Sequence, residues 1–96
     1  INSGGIKIQI EEVERNLRLF MPVPFLITRV HDEKFGECVV LLTEATDMAE
    51  MSEICHNVLP NYWVPRRYIH VDKIPIAGND KPARAEAERI ANLRKE

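Results

Sequence analysis

The stretch with the clearest chemical potential runs from Pro75 to Arg84 and reads PIAGNDKPAR. It contains a Gly-Asn-Asp turn signal, a single lysine, Lys81, and a proline, Pro82, that can open a helix. Because Pro82 disfavours a helical backbone at the residue before it, Lys81 should lie just outside a helix N-terminus, on a mobile loop. Such a helix end attracts anions, so a flexible ammonium beside it is suited to holding a phosphate or a carboxylate. Taken alone, the local sequence favours an ordinary surface lysine on a solvated loop.

Two adjacent glycines, Gly4 and Gly5, are the second candidate, since glycine lets the backbone approach another surface closely. They could line a narrow channel, although glycine pairs more often only turn a chain. Arg66 and Arg67 could meet phosphates, and Trp63 could stack on a base. For these three residues the default interpretation is a solvated arginine pair and a packing anchor.

The scattered histidines predict neither a metal site nor a catalytic triad, because none has metal-ligand spacing to a cysteine or carboxylate. They are His31, His56 and His70. His70 and Asp72 should lie on the same side of a strand and form a surface pair. Cys38 and Cys55 are far apart in apolar surroundings, so we interpret them as buried thiols in a reducing cytosol.

The composition is that of one soluble globular domain of 96 residues. Thirteen basic and fifteen acidic residues give a net charge of −2, which argues against a general nucleic-acid binder. Residues 1–59 carry five basic and ten acidic groups, whereas residues 60–96 carry eight basic and five acidic groups, so a polyanion would meet the C-terminal part.

No apolar run is long enough to span a membrane, and no signal peptide is visible, which favours the cytoplasm. The chain begins at Ile1, and we expect it to be part of a larger protein.

Periodicity predicts four strands and three helices in the order β-α-β-β-α-β-α, which is an α+β fold with a small mixed sheet flanked by helices. The predicted strands are Ile6–Ile10, Phe25–Val30, Glu37–Thr43 and Arg67–Val71. The predicted helices run from about Glu11 to Leu19, from Thr46 or Asp47 to about Val58, and from Ala83 onward.

Local pairs refine these elements. A capping box between Asp47 and Glu50 should open the second helix. The pairs Glu11–Arg15 and Glu14–Arg18 have the spacing and orientation of stabilising ion pairs on the first helix. The second helix should bury a face of apolar side chains: Met48, Met51, Ile54, Cys55 and Val58.

Three segments resemble the C-terminal domain of adenylate-forming enzymes, which include acyl-CoA ligases, luciferases and nonribosomal peptide adenylation domains. The first, INSGGIKIQIEEVERNL, is similar to their opening glycine-rich loop, strand and EEVE helix. The second, HDEKFGECVVLL, looks like their PDxxxGE loop and the buried strand after it. The third, LPNYWVPRRYIHVDKIPIAGNDKPAR, is similar to their segment LPxYxVPRxxxxVDxLPxTxxGKxxR. The segments fall in the right order, and the resemblance covers essentially all of residues 1–94.

The resemblance implies that residues 1–96 are the mobile lid of a two-domain ligase whose N-terminal domain, absent here, binds most of the ATP and acyl group. Lys81 matches the lysine that assists formation of acyl-AMP and pyrophosphate from a carboxylic acid and ATP. Gly4 and Gly5 match the glycine loop that faces the pantetheine channel of CoA during thioester formation. ATP and CoA are then substrates, and Mg²⁺ enters with ATP. No metal site is expected in this domain, which should be inactive alone, and its hinge should lie just upstream of Ile1.

Some positions depart from the family pattern. Asp80 replaces the glycine before the lysine, where it should either hold Lys81 in a salt bridge or weaken its approach to phosphate. Ala77 replaces the usual threonine, Pro82 follows the lysine, and Gly78 should supply flexibility. Within the family, the segments INSGGIKIQIEEVE, FGECVVLL and NDKPAR look most like o-succinylbenzoate–CoA ligases of menaquinone synthesis.

Two other hypotheses remain open from the sequence. The chain could be a free-standing α+β module that senses a small ligand or docks a partner through the Trp63 region. It could also bind nucleic acid through Arg66, Arg67 and the last helix, although its net negative charge disfavours this.

Overall fold

The computed structural model describes residues 1–94; Lys95 and Glu96, which were counted in the C-terminal charge, lie outside the described residues. The strands are β1 (Asn2–Ser3), β2 (Ile6–Lys7), β3 (Phe25–Asp32), β4 (Gly36–Thr43) and β5 (Arg67–His70). The helices are α1 (Ile10–Arg18), α2 (Met48–Val58) and α3 (Arg84–Leu93), with a short 3₁₀ turn at Asn61–Trp63.

Strand β4 is the centre of the sheet. It pairs antiparallel with β3 along its whole length, from Phe25 opposite Thr43 to Asp32 opposite Gly36. On its other edge it pairs in parallel with β5 and, at its first residue, antiparallel with β1. The predicted α+β fold with a mixed sheet and three helices is therefore confirmed.

Side chains of β4 alternate between two hydrophobic cores. Val39 and Leu41 join the core beneath α1 and α2, whereas Val40 and Leu42 join the core beneath α3. Because both faces of this strand are covered, its sequence reads as a continuous apolar run rather than an alternating one. This explains why the segment ECVVLLT predicted a buried strand so clearly.

The second helix is the element that the sequence predicted best. Asp47 is its N-cap residue, and its Oδ1 accepts a hydrogen bond from the backbone N–H of Glu50 at 3.1 Å. The helix ends at Val58 as predicted, and Met51 and Cys55 on its inner face are fully buried. The cap satisfies one backbone donor that the first helical turn leaves without a partner.

The predicted first strand is wrong in length, because the chain turns back at Gly4 and Gly5. The resulting hairpin uses only Asn2–Ser3 and Ile6–Lys7. Ile8, which follows the hairpin, is buried in the core with 1% of its surface exposed, whereas Ile6 is 41% exposed. The predicted loop at residues 31–36 is also shorter than expected, because Asp32 Oδ1 accepts bonds from two backbone N–H groups of the turn and the strands continue up to it.

The predicted Glu14–Arg18 ion pair is wrong as well. Glu14 is 4% exposed, and its carboxylate binds Arg84 at the start of α3 instead. Two apolar residues, Phe20 and Leu93, are 57% and 71% exposed, because Phe20 follows α1 and Leu93 ends α3. Pro82 does not open α3 either, since the helix begins two residues later with Ala83 as its N-cap.

Burial of the two thiols yields a pH prediction. Cys38 and Cys55 are both buried, and desolvation raises the pKa of Cys55 from 9.0 to about 11. Because the unfolded thiol ionises first, its contribution to stability is complete below pH 9 and is lost as the pH rises to about 11. We expect this loss to reach about 2 to 3 kcal/mol. Urea denaturation of the chain across pH 8–11 measures it. Cys55→Ala should flatten the decline, and an equally steep decline in that variant would contradict the assignment.

Candidate functional site

Lys81 lies on a loop, as predicted, and hydrogen bonds close that loop into a short β-hairpin. Ala77 N–H donates to Lys81 C=O at 2.7 Å, and Asp80 N–H donates back to Ala77 C=O at 3.0 Å. Outside this turn, Ile76 and Pro82 form an isolated antiparallel bridge. The Lys81 side chain is exposed, and the predicted position just outside the helix is confirmed, with α3 beginning three residues later. We call residues 75–83 the lysine hairpin.

Asp80 occupies the one backbone position of this hairpin that favours glycine. Its φ is +65°, whereas Gly78 has no positive φ. Three-residue hairpin loops commonly close with a residue in this left-handed region, where glycine is preferred and aspartate is tolerated better than most residues. The expected Asp80–Lys81 salt bridge is absent from residues 1–94. The replacement of glycine by Asp80 therefore acts on backbone conformation, and it leaves the lysine ammonium unpaired by its neighbour.

This geometry predicts the stability of Asp80 variants. Asp80→Gly should leave the free energy of unfolding unchanged or raise it by up to about 1 kcal/mol, because the left-handed conformation no longer carries a steric cost. Asp80→Val should lower it by about 1 to 2 kcal/mol, since a β-branched side chain is poorly accommodated there. Urea denaturation curves compare the two variants. A valine variant as stable as the glycine variant would contradict this account of the turn.

A charged groove of about 540 Å³ borders the lysine hairpin. Its charged lining comes from α1, the lysine hairpin and the start of α3: Glu11, Glu14, Arg15, Arg18, Lys81 and Arg84. Glu14 and Arg84 neutralise each other through two hydrogen bonds of 2.7 and 2.8 Å. The remaining cations, Arg15, Arg18 and Lys81, outnumber the remaining carboxylate of Glu11. The groove therefore suits an anionic ligand.

The hairpin also borders a second groove, which is mainly apolar. Ile76 and Pro82 of the hairpin line it together with Met21, Val23 and Pro24 from the connection between α1 and β3. Ile76 itself is 51% exposed. An apolar surface adjoining an exposed cation is typical of a place where another protein surface closes over a polar centre.

Gly4 and Gly5 form the tip of the β1–β2 hairpin. Their φ values are +57° and +87°, and two positive φ angles are the requirement of the tight turn that joins two strands through two residues. Gly4 N–H donates to Phe35 C=O at 2.8 Å, which docks the tip on the β3–β4 turn. A Cβ atom added at Gly5 would meet no protein atom within 4 Å. The prediction that these glycines turn the chain is confirmed, and the outer side of Gly5 faces open space.

A third groove runs along this glycine tip. Gly4 and Phe35 line it together with Arg66, His56 and Tyr62. The Arg66 guanidinium stacks 4.1 Å from the centre of the Phe35 ring. The turn that carries Phe35 is held by Asp32, and the hydrogen bonds from Phe35 and Lys34 N–H keep the pKa of that carboxyl below its usual value. The groove is thus lined by aromatic rings, a guanidinium cation and polar side chains.

The structure places the lysine hairpin and the glycine tip at opposite ends of β4. Ser3 pairs with Gly36 at the start of the strand. At its other end, Ile74, just before the lysine hairpin, donates its N–H to the Glu44 carboxylate at 2.9 Å. Eight residues of extended strand separate the two ends, which is roughly 24 Å. The two sites therefore cannot act on one small reacting group at the same time in a fixed orientation of the domain.

The remaining sequence candidates have structural partners. His70 Nδ1 lies 2.8 Å from Ala45 C=O, and its Nε2 lies 3.4 Å from exposed Asp72, as the predicted surface pair requires. Trp63 packs against the first core, as expected of an anchor. His56 lies on the exposed side of α2 and contacts Ser52 C=O through Nδ1. Residues 1–94 contain no cluster of three potential metal ligands.

The arginines offered for nucleic-acid binding also have intramolecular partners. Arg66 is exposed, as the default interpretation expected, and its guanidinium stacks on Phe35. On α3 and just after it, Arg84 binds Glu14, Arg89 binds Glu86 and Arg94 binds His70 C=O. This use of the guanidinium groups disfavours an extended phosphate-binding face on the last helix.

Sequence reasoning missed two residues that build the site, Glu14 and Arg84. The bidentate hydrogen bonds that Arg84 donates to the Glu14 carboxylate raise the pKa of the Arg84 guanidinium above its ordinary value. The available signals were the last glutamate of the EEVE motif and the arginine that ends KPAR, but 70 residues separate them. Within residues 1–94, no helix is long and apolar enough to cross a bilayer.

Comparison with known proteins gives similarity along most of the chain. It is 32% identical over 81 residues to tyrocidine synthase 3 of Brevibacillus parabrevis, covering 80% of this chain and 1% of that protein. It is 28% identical to the D-alanine--D-alanyl carrier protein ligase of Staphylococcus aureus, covering 96% of this chain and 21% of that enzyme. Among solved structures, a fatty acyl CoA synthetase of Mycobacterium tuberculosis superposes with a TM-score of 0.85 at 22% identity, covering 97% of this chain and 20% of that one.

The chain thus spans about a fifth or less of the length of the relatives it matches. No protein-family model matches it. The relatives at 28 and 32% identity are a ligase and a synthase, and the structural neighbours include acyl-CoA synthetases.

Proposed function

Because the fold is that of the C-terminal domain of adenylate-forming enzymes, we propose that this chain is the mobile lid of a larger AMP-forming acid–thiol ligase. The observation that carries the proposal is the exposed Lys81, presented from a hydrogen-bonded hairpin beside a groove with a surplus of positive charge. The N-terminal domain of the same protein would supply most of the ATP and acyl site. It would also cover the apolar groove next to the hairpin.

Lys81 would act in the first half-reaction, in which a carboxylate attacks the α-phosphorus of ATP. The carboxylate oxygen forms the new bond to phosphorus, and pyrophosphate leaves with its electron pair. Negative charge is spread over the phosphoryl oxygens and the reacting carboxylate in the transition state. A cation placed between them stabilises that charge without moving a proton. Mg²⁺ bound with ATP would be held mainly by the missing domain, and the nearby Arg15 and Arg18 add to the positive potential.

Gly4 and Gly5 would act in the second half-reaction, in which a thiol attacks the acyl-adenylate and AMP leaves. Their separation from Lys81 along β4 means that the lid must change orientation between the steps. The open space outside Gly5 would let a narrow pantetheine arm pass along the hairpin tip. The third groove, with its stacked Arg66 and Phe35, adjoins this path.

This role of the glycine tip predicts the behaviour of two variants of the full-length protein. Gly5→Leu should slow thioester formation from preformed acyl-adenylate by at least about tenfold, or about 1.4 kcal/mol of activation free energy, because the side chain occupies the thiol path. Gly5→Ala shares the backbone strain at φ +87° but adds little bulk, so it should be slowed much less. Adenylation, followed as pyrophosphate release, should be unchanged in both. Equal rates of thioester formation in the two variants would contradict the channel.

For the acyl group and the acceptor, we propose o-succinylbenzoate and CoA, as in menaquinone synthesis, on the resemblance of the glycine loop and the NDKPAR segment. Similarity to a D-alanine--D-alanyl carrier protein ligase supports a second candidate, an amino acid transferred to the thiol of a carrier protein. Both candidates share the adenylation step and the lysine. They differ in the carboxylate and in the size of the thiol partner.

The test uses the full-length protein that contains this chain. Pyrophosphate release is measured with ATP, Mg²⁺ and a panel of carboxylic acids that includes o-succinylbenzoate and D-alanine. Thioester formation is then measured with CoA and with a phosphopantetheine-bearing carrier protein. Acid-dependent pyrophosphate release followed by thioester formation supports the proposed class, and the preferred pair selects between the two candidates. A full-length protein that binds ATP but does not release pyrophosphate in the presence of any acid of the panel would overturn the proposal.

The free-standing module is the less favoured alternative. The similarity covers 96% of this chain but only 21% of the carrier protein ligase, which fits one part of a larger enzyme better than an independent sensor. A cytoplasmic location, expected from the sequence, would place the enzyme where ATP and CoA are available.

A further inference from the structure

The feature that carries a further inference is the free edge of β3. Ile27 turns its N–H and C=O away from β4, toward this edge. The N–H donates to Glu14 Oε2 at 2.9 Å, and the C=O accepts a longer bond of 3.4 Å from Arg84 Nη1. Unpaired groups on an edge strand must find partners when they are buried, so this pair of side chains completes the strand.

Glu14 and Arg84 also join the two layers of the domain around that edge. Glu14 belongs to α1, which covers one face of the sheet, and Arg84 is the first residue of α3, which covers the other. Their planar groups meet in a fork, with Nη1 2.7 Å from Oε2 and Nη2 2.8 Å from Oε1. A bidentate pair fixes orientation as well as distance, and a lysine cannot reproduce it. We call this pair, with Ile27, the edge clamp.

The edge clamp lies immediately beside the lysine hairpin. Only two residues separate Arg84 from Lys81, and Ala83 N–H donates to Pro75 C=O at 3.1 Å across the base of the hairpin. On the other side, the Ile74 N–H is held by Glu44 at the end of β4. The backbone of Lys81 is therefore held between one anchor on β4 and one on β3 and α1.

Resting on the proposed function, we infer that Glu14 and Arg84 are positioning residues that set where Lys81 stands during adenylation. Both oxygens of Glu14 are occupied by Arg84 and Ile27, so this carboxylate, which shares a groove with Lys81, is not available to pair with the lysine. The clamp thus fixes the hairpin and keeps the ammonium free for the substrate. A displacement of about 1 Å at a reacting group can cost on the order of 10²-fold in rate.

The test compares Glu14→Gln and Arg84→Lys in the full-length protein. Each variant keeps nearly the same volume but loses the fork of hydrogen bonds. We expect kcat for adenylation to fall by about 10- to 100-fold with unchanged KM for ATP and the acid. Thioester formation from preformed acyl-adenylate should keep its wild-type rate. Hydrogen exchange should accelerate in the peptide that spans residues 75–84.

The matched control is Met51→Ala, a core substitution in α2 that destabilises the domain without removing any hydrogen bond of the clamp. It should leave the ratio of the two half-reaction rates unchanged. The inference is overturned if both clamp variants adenylate at the wild-type rate, or if they lose both half-reactions equally, as expected of a merely structural pair. If wild-type protein lacks both half-reactions, the proposed function fails, and this wild-type measurement distinguishes that failure from failure of the clamp alone.

Discussion

Replacing Lys81 by alanine in the full-length protein should lower the rate of adenylation by about 10²- to 10³-fold, equivalent to about 3 to 4 kcal/mol of transition-state stabilisation. The reason is that the variant removes the only lysine of the charged groove beside the hairpin, among the residues that the structure describes. Arg15 and Arg18 line the same groove, but they belong to α1 and not to the hairpin. The effect should appear in kcat, because the charge it stabilises develops in the transition state.

The measurement is acid-dependent pyrophosphate release, with thioester formation from preformed acyl-adenylate measured in parallel. Thioester formation should persist, because the glycine tip lies at the other end of β4. Lys73→Ala is the matched control, since it removes an exposed lysine of the same charge eight residues earlier. Equal losses in the two lysine variants would mean that general positive charge, rather than the position of Lys81, supports the reaction. Wild-type adenylation in Lys81→Ala would refute its assignment.

Glu14→Ala should strongly destabilise this domain. The change leaves the Arg84 guanidinium without its carboxylate partner and the Ile27 N–H without an acceptor. Removal of one partner from a fully buried ion pair costs about 3 to 5 kcal/mol, and because the Arg84 side chain is 36% exposed, we expect a cost of about 3 kcal/mol or less here. That is a large share of the roughly 5 to 15 kcal/mol that stabilises a typical domain. We expect the midpoint of urea denaturation to fall accordingly, with an unchanged slope.

The control for this prediction is Glu86→Ala. Glu86 forms an ion pair with Arg89 on the exposed side of α3, and such pairs contribute about 0 to 1 kcal/mol. The double variant Glu14→Met with Arg84→Met offers a second comparison, because replacing both charges with apolar groups removes the unpaired guanidinium. It should be more stable than Glu14→Ala. A Glu14→Ala variant as stable as Glu86→Ala would show that the fork contributes little.

Much of the fold was predictable because it depends on contacts close in sequence. The Asp47 cap and the apolar spacing of α2 lie within one or a few helical turns, and both were predicted correctly. The β3–β4 hairpin was predictable for a similar reason, since two apolar strands flank a short polar turn. The first strand was wrong because its length depends on how the glycine tip docks on Phe35, a residue 31 positions from Gly4.

The site was only partly predictable. The position of Lys81 before α3 was predicted from the proline that follows it, and the resemblance to a family pointed to the same lysine. The closed hairpin was not predicted, because it depends on the left-handed backbone of Asp80. Only the family pattern indicated a glycine at that position. The roles of Lys81, Gly4 and Gly5 in catalysis stay predictions.

The sequence by itself determined the elements, the buried thiols and the candidate cation, because those depend on side-chain period, turn chemistry and residue type. Only the tertiary structure decided that Glu14 turns from its helical neighbour Arg18 to Arg84, that β5 runs parallel to β4, and that Lys81 and the glycine tip stand at opposite ends of one strand. The physical reason is that each of these arrangements joins residues far apart in sequence. The cost of burying a polar group is offset only by a partner that lies close once the sheet and helices have packed.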